Sequence, residues 1–204
     1  MSSPDASAAG EADDQDDALS RPDPRFEVLC QTLRAEHPSF RLIAKEESPL
    51  MAGLARWLGM RFWNRHFMRD YTTVLVTRVY MPRRFHGTVR GYRTLRHERI
   101  HMQDAVRTGV LPFALSYLFL LPAGVTARAY WEWRAYAESL RCELEDTGTI
   151  ADESLDHIVK RFVGPDYLFM FPFPRLLRAR LERLRSQLLA EHASAAQRPL
   201  SAKR

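Results

Sequence analysis

The chain has 204 residues, 46% of them hydrophobic and 11% aromatic, with a formal net charge of +5. That length supports one full hydrophobic core rather than two. Its two cysteines, Cys30 and Cys142, make neither a disulfide framework nor a cysteine-based zinc site; they fit a reducing compartment as small buried apolar residues, and we expect a cytoplasmic protein.

Residues 1–24 hold seven acids (Asp5, Glu11, Asp13, Asp14, Asp16, Asp17, Asp23) and one base, Arg21. They lack the basic start and apolar run of a secretory leader. They also bury too little apolar surface to order themselves, so a disordered acidic tail is expected. The rest of the chain is strongly basic, mostly through arginines scattered along helices. A solvated face is the expected role for these charges, ahead of a peripheral membrane contact. No motif interleaves bases with aromatics, and nucleic-acid binding is not expected.

A single domain is expected over residues 25–193, with a frayed C-terminal tail over 194–204. Its first helix, "RFEVLCQTLRAEH", has Phe26, Val28, Leu29 and Leu33 at helical spacing and ends before Pro38. "SFRLIAKE" reads as a short strand. Ser48 caps the next helix and Pro49 takes its first position. Residues 71–81, "YTTVLVTRVYM", read as one strand stopped by Pro82. "PRRFHGTVRGY" contains two glycines and reads as a loop, followed by a helix capped by Thr94 and closed by Gly109. "VLPFALSYLFLLPAGV" is too short and too interrupted by Pro112 and Pro122 to span a bilayer, so it reads as a buried core helix. A long helix follows over 126–148, closed by Gly148, then one over 151–164 capped by Asp152. A proline-broken aromatic segment and a basic amphipathic helix complete the chain. The pattern is α+β and mostly helical, with a small sheet ahead of residue 97. It excludes a doubly wound sheet.

The chemistry concentrates in "RTLRHERIHMQDAVRTG". On a helix, residues four apart share a face, so His97 and His101 aim two imidazoles at one point, as a tetrahedral metal ion requires. Glu98 is turned about 100° from His97. It is poorly placed to ligate the same ion but well placed to act as general base on a water that the ion holds. A third protein ligand is needed from elsewhere. In "YWEWRAYAES" two carboxylates qualify, Glu132 and Glu138, on different faces of one helix. Glu132 is preferred because Ala135, one turn on, leaves room for close helix approach. Imidazole plus carboxylate favours Zn2+. Asp104 could orient a ligand imidazole. The bland readings compete: Asp104 paired with Arg107 or Arg96, Tyr167 as a locally satisfied phenol, His157, His66 and His86 as ordinary histidines, and Trp131, Trp133, Phe169 and Phe171 as core.

"LRHERIHMQD…GVLPFALSYLF…YWEWRAYAES" resembles the gluzincin class of HExxH zinc metallopeptidases, and within it the small single-domain bacterial and phage proteins. The likeness covers roughly residues 70–145. It implies a zincin-like domain, with His97, His101 and Glu132 as zinc ligands, Glu98 as general base, and a peptide or protein substrate. It also implies that the upstream strand is the edge that pairs with a peptide. Arg99 departs from the apolar residue common at that position, and no substrate-binding motif precedes the helix. The expectation is therefore a zinc hydrolase, with a catalytically inactive, metal-stabilised binding or scaffold protein as the competing reading.

Overall fold

The computed structural model describes residues 17–57, 67–118, 123–164 and 169–196. The chain groups into two compact units, Met1–Met102 and Gln103–Arg204.

In the first unit, α1 (Arg25–Glu36) is followed by β1 (Arg41–Ala44), α2 (Pro49–Trp57), the single turn α3 (Phe67–Asp70), β2 (Thr73–Leu75), β3 (Arg78–Met81) and most of α4 (Val89–Thr108). The sheet order is β1-β3-β2, with β1 parallel and β2 antiparallel to β3. Alternation along the strands turns Leu42, Val74, Val79 and Met81 toward one core. They pack there with Phe26, Leu29, Cys30 and Leu33 of α1, and with Leu95 and Met102 of α4. Ser48 caps α2 as its sequence implies: the Met51 N–H donates to Ser48 Oγ at 3.2 Å.

Three local features of this unit differ from the sequence reading. The single strand expected over 71–81 is a hairpin. Its two-residue turn puts Val76 at φ 61°, a conformation that costs a non-glycine residue about 1–2 kcal/mol. No Gly or Asn marks it, which is why the run of β-formers read as continuous. The expected loop over 82–92 contains a short 3₁₀ turn, Arg83–Phe85, and the start of α4. The cap is Thr88 rather than Thr94: the Gly91 N–H donates to Thr88 Oγ1 at 3.1 Å. The two glycines that suggested a loop serve separate purposes. Gly87 adopts φ 72°, and Gly91 lets the helix pass against Phe85, whose carbonyl oxygen a Cβ would strike. Finally, Asp23 is buried rather than solvated. Its N–H donates to the Gly87 carbonyl at 2.8 Å, and the Val89 N–H donates to that of Arg21 at 3.0 Å. The hydrogen bond from Arg25 holds the Asp23 carboxyl below the usual range, outweighing its burial.

In the second unit, the last turn of α4 leads through Gly109 (φ 91°) into α5 (Val110–Leu118). Then come α6 (Ala123–Thr147), closed by Gly148 at φ 72°, α7 (Asp152–Val163) and α8 (Pro174–Ala196). Leu140 and Leu144 of α6, Leu155, Ile158 and Phe162 of α7, and Leu177, Leu181 and Leu188 of α8 form the core. Asp152 is the first residue of α7, not its cap. Its carboxylate takes ion pairs from Arg178 at 2.8 Å and Arg185 at 2.7 Å, and the Arg185 hydrogen bond chiefly holds its pKa down. The helix start is served instead by Glu143, whose Oε1 accepts the Ala151 N–H at 2.9 Å.

The described side chains of helix α5 are not buried as the apolarity of this segment suggested. Val110, Leu111 and Leu115 are exposed, and Phe113 meets the Trp131 ring of α6 at 5.3 Å. Hydropathy reports what a side chain avoids, not whether the fold provides a surface to cover it. Both cysteines are free and buried, as expected, and burial pushes the Cys30 thiol up to about 11. Among the described residues, no helix is long and apolar enough to cross a membrane.

Two glycine substitutions test this account with opposite signs. Gly91→Ala should destabilise by about 3 kcal/mol because backbone must yield to a Cβ. Gly53→Ala in α2, where a Cβ meets nothing within 4 Å, should stabilise by about 0.5–1 kcal/mol. Urea unfolding monitored by circular dichroism reads both.

Candidate metal centre

The imidazoles of His97 and His101 stand one turn apart on α4. Their ring centroids are 5.1 Å apart and the planes meet at 73°. This is the juxtaposition that four-residue spacing on a helix dictates. His101 is buried at 8% exposure, and His97 is half-buried. Glu98 and Arg99 lie in the same turn and are also half-buried. Arg99, the charged residue that departs from the metallopeptidase pattern, has a structural partner: its Nε donates to Glu36 Oε2 of α1 at 3.1 Å. The charge therefore joins α4 to α1 and does not by itself argue against the site.

A residue that the sequence reading passed over lies within electrostatic reach of Glu98. Lys45 follows β1 and is fully buried. Its ammonium donates to the carbonyls of Phe67 (2.8 Å) and Tyr71 (3.0 Å) and to Thr73 Oγ1 (3.0 Å). It also sits 3.6 Å from the centroid of the Phe67 ring. Burial lowers its pKa to about 8, while the negative charges of Glu46 and then Glu98 pull it up. The only sequence signal was a lysine at the end of a strand, which ordinarily means a solvated charge.

Helix α4 continues without a break from the histidine turn to Thr108, so its last turn belongs to the second unit. There Asp104 is buried and pairs with Arg134 of α6 at 3.0 Å. It does not pair with Arg107 or Arg96, the partners considered from the sequence. Burial works against the charge of Arg134, but the Tyr130 hydrogen bond and the Asp104 charge raise its pKa overall. On α6, Glu132 is 1% exposed, and Ala135, one turn on, is fully buried. Glu138 lies 3.8 Å from Arg141. His97, His101 and Glu132 each offer one ligand atom, and these atoms lie within 4.8 Å of one another. Glu138 is not in this group. Among the other histidines, His86 Nε2 lies 3.2 Å from the Met81 carbonyl oxygen, and His157 is exposed beside Arg161. His66 and Tyr167 fall outside the described residues.

Compared with protein-family models, curated proteins and solved structures, the chain matches none.

Lys45→Met should cost about 3 kcal/mol near neutral pH, because three oxygens lose a charged donor. The lysine also gives stability a definite pH dependence. Its pKa falls from 10.5 to about 8 on folding, so between those values the unfolded chain binds more protons. Stability from this group therefore rises with pH across that window. The wild type should show that rise relative to Lys45→Met in denaturant titrations run at several pH values.

Proposed function

We propose that this chain is a zinc-dependent hydrolase of the gluzincin type, a metallopeptidase in a zincin-like domain. In this reading His97, His101 and Glu132 hold the ion and Glu98 is the general base. One observation carries it: a carboxylate almost wholly removed from water contributes an oxygen to a group of three ligand atoms within 4.8 Å of one another, the other two being imidazole nitrogens.

The donor set fits the ion. Tetrahedral zinc with nitrogen and oxygen bonds of about 2.1 Å needs ligand atoms roughly 3.4 Å apart. The upper bound of 4.8 Å on the separations is compatible with that size. Two neutral imidazoles and one carboxylate leave one position open and suit a catalytic rather than a closed structural site. A bound zinc ion supplies Lewis acidity and brings the pKa of water toward neutrality. The protein supplies the rest. Glu98, next to a ligand but turned about 100° from it on the helix, would accept a proton and pass it to a leaving group. The Glu36–Arg99 pair holds the turn that carries Glu98. The competing reading, a metal-stabilised binding protein without turnover, draws its support from the exposed apolar residues Val110, Leu111 and Leu115 of α5.

Metal analysis after chelator-free purification, run beside a casein-hydrolysis assay, separates these readings. We expect about one zinc per chain, lost in His97→Ala and Glu132→Ala but retained in Glu138→Gln. Glu98→Gln should keep the metal and lose at least about 100-fold in rate. Zinc retained with no hydrolysis by the wild type would favour the binding protein. A wild-type chain that takes up no stoichiometric divalent metal would overturn both.

A further inference from the structure

A second candidate site lies at the hairpin end of the sheet in the first unit, on the face where Arg41 and Arg78 are exposed and Tyr80 is buried beside them, and it does not depend on the hydrolase reading. Leu42, Val79 and Met81 face the core, so the alternating residues Arg41, Arg78 and Tyr80 share the opposite face. Arg41 and Arg78 are direct partners in the parallel register of β1 and β3. Like charges facing each other across a sheet repel. Nothing among the described residues neutralises this pair. Arg41 donates only to the carbonyls of Pro38 (3.3 Å) and Phe40 (2.8 Å), and neither arginine forms an ion pair with a described carboxylate.

Beside this basic pair is the β2–β3 turn with its left-handed valine. Val76 is 51% exposed, so its side chain gains little packing within the fold to offset an unfavourable backbone. A Gly or Asn would adopt that conformation at less cost. Leu75, the next residue back, and Leu50 at the start of α2 are also exposed. Together these residues and Tyr80 line an open groove of about 460 Å³. Two guanidiniums with no carboxylate partner among the described residues and an apolar hairpin tip, each unfavourable alone, share one small surface.

We propose that this groove docks the chain on an anionic lipid surface. Arg41 and Arg78 take the headgroup phosphate, and Leu50, Leu75 and Val76 enter the boundary of the acyl chains. Charge complementarity and shape both select this partner. Guanidinium forks match phosphate geometry. An apolar tip flanked by bases is the combination that binds at a bilayer interface without spanning it. The surplus of positive charge over the whole chain, +5, acts in the same direction.

Co-sedimentation of the full chain with vesicles of phosphatidylcholine alone, or of phosphatidylcholine with phosphatidylglycerol, tests the proposal. Binding is expected only to the anionic vesicles, weakening as salt rises. Arg41→Gln and Arg78→Gln should each lower affinity roughly fivefold. Val76→Asn should lower it roughly tenfold, with the Tm unchanged or higher because asparagine tolerates the turn. That combination of stronger folding and weaker binding is not expected of a merely structural residue. Equal binding to neutral vesicles, or none to anionic ones, would overturn the proposal. So would anionic binding that all three variants retain, which would assign lipid contact to another surface. If anionic vesicles fail to bind while a protein partner protects these residues, the groove belongs to that partner instead.

Discussion

At Gly91 the backbone of α4 passes so close to the Phe85 carbonyl that no side chain fits between them. The start of the helix depends on that contact. Thr88 caps the first turn, and the segment Arg21–Asp23 hydrogen-bonds to Val89 and Gly87 just before it. Further along, Leu95 and Met102 enter the core and the Arg99–Glu36 pair holds the exposed side. With the helix held along its length, four-residue spacing leaves the two imidazoles little choice but to face the same way. The spacing makes the histidine pair, and the contact at Gly91, two turns upstream, helps fix the helix that carries it.

Charge in the first unit is handled in two contrasting ways. Lys45 is removed from water entirely, and three oxygens accept hydrogen bonds from its ammonium. It thereby ties the end of β1 to the segment Phe67–Thr73, and its charge is felt by Glu98. Arg41 and Arg78 remain at the surface side by side, their charges offset by nothing among the described residues. Burial makes the first arrangement costly to disturb. Solvent makes the second tolerable, and leaves it open to an external anion. The second unit uses a third arrangement: Asp152 at the start of α7 meets two arginines of α8, so one carboxylate serves the contact between two helices.

Much of the helical framework was legible in the chain itself. Periodic apolar residues located α1, α6, α7 and α8, and Ser48 and Gly148 marked boundaries where the structure has them. Local signals failed where a residue's purpose was not local. Gly91 suggested a loop because a helical glycine is costly, yet its reason is a neighbour six residues away. Val76 hid a turn because turn chemistry was absent from it. Asp152 looked like a cap, but its partners lie on a helix that begins more than twenty residues later. The apolar run of α5 signalled burial, and its described residues found partial cover only.

The sequence by itself determined the histidine pair, the adjacent Glu98 and the choice of two later carboxylates, because helical spacing is a property of the backbone alone. It also determined the α+β class, since few segments alternate with the period of a strand. Only the tertiary structure decided that Glu132 is sequestered from water while Glu138 lies near Arg141, that Lys45 is interior, and that Arg41 and Arg78 share one sheet face. Those outcomes depend on which elements pack together and in what register, and no short-range pattern along a chain encodes the distance between residues that meet only after folding.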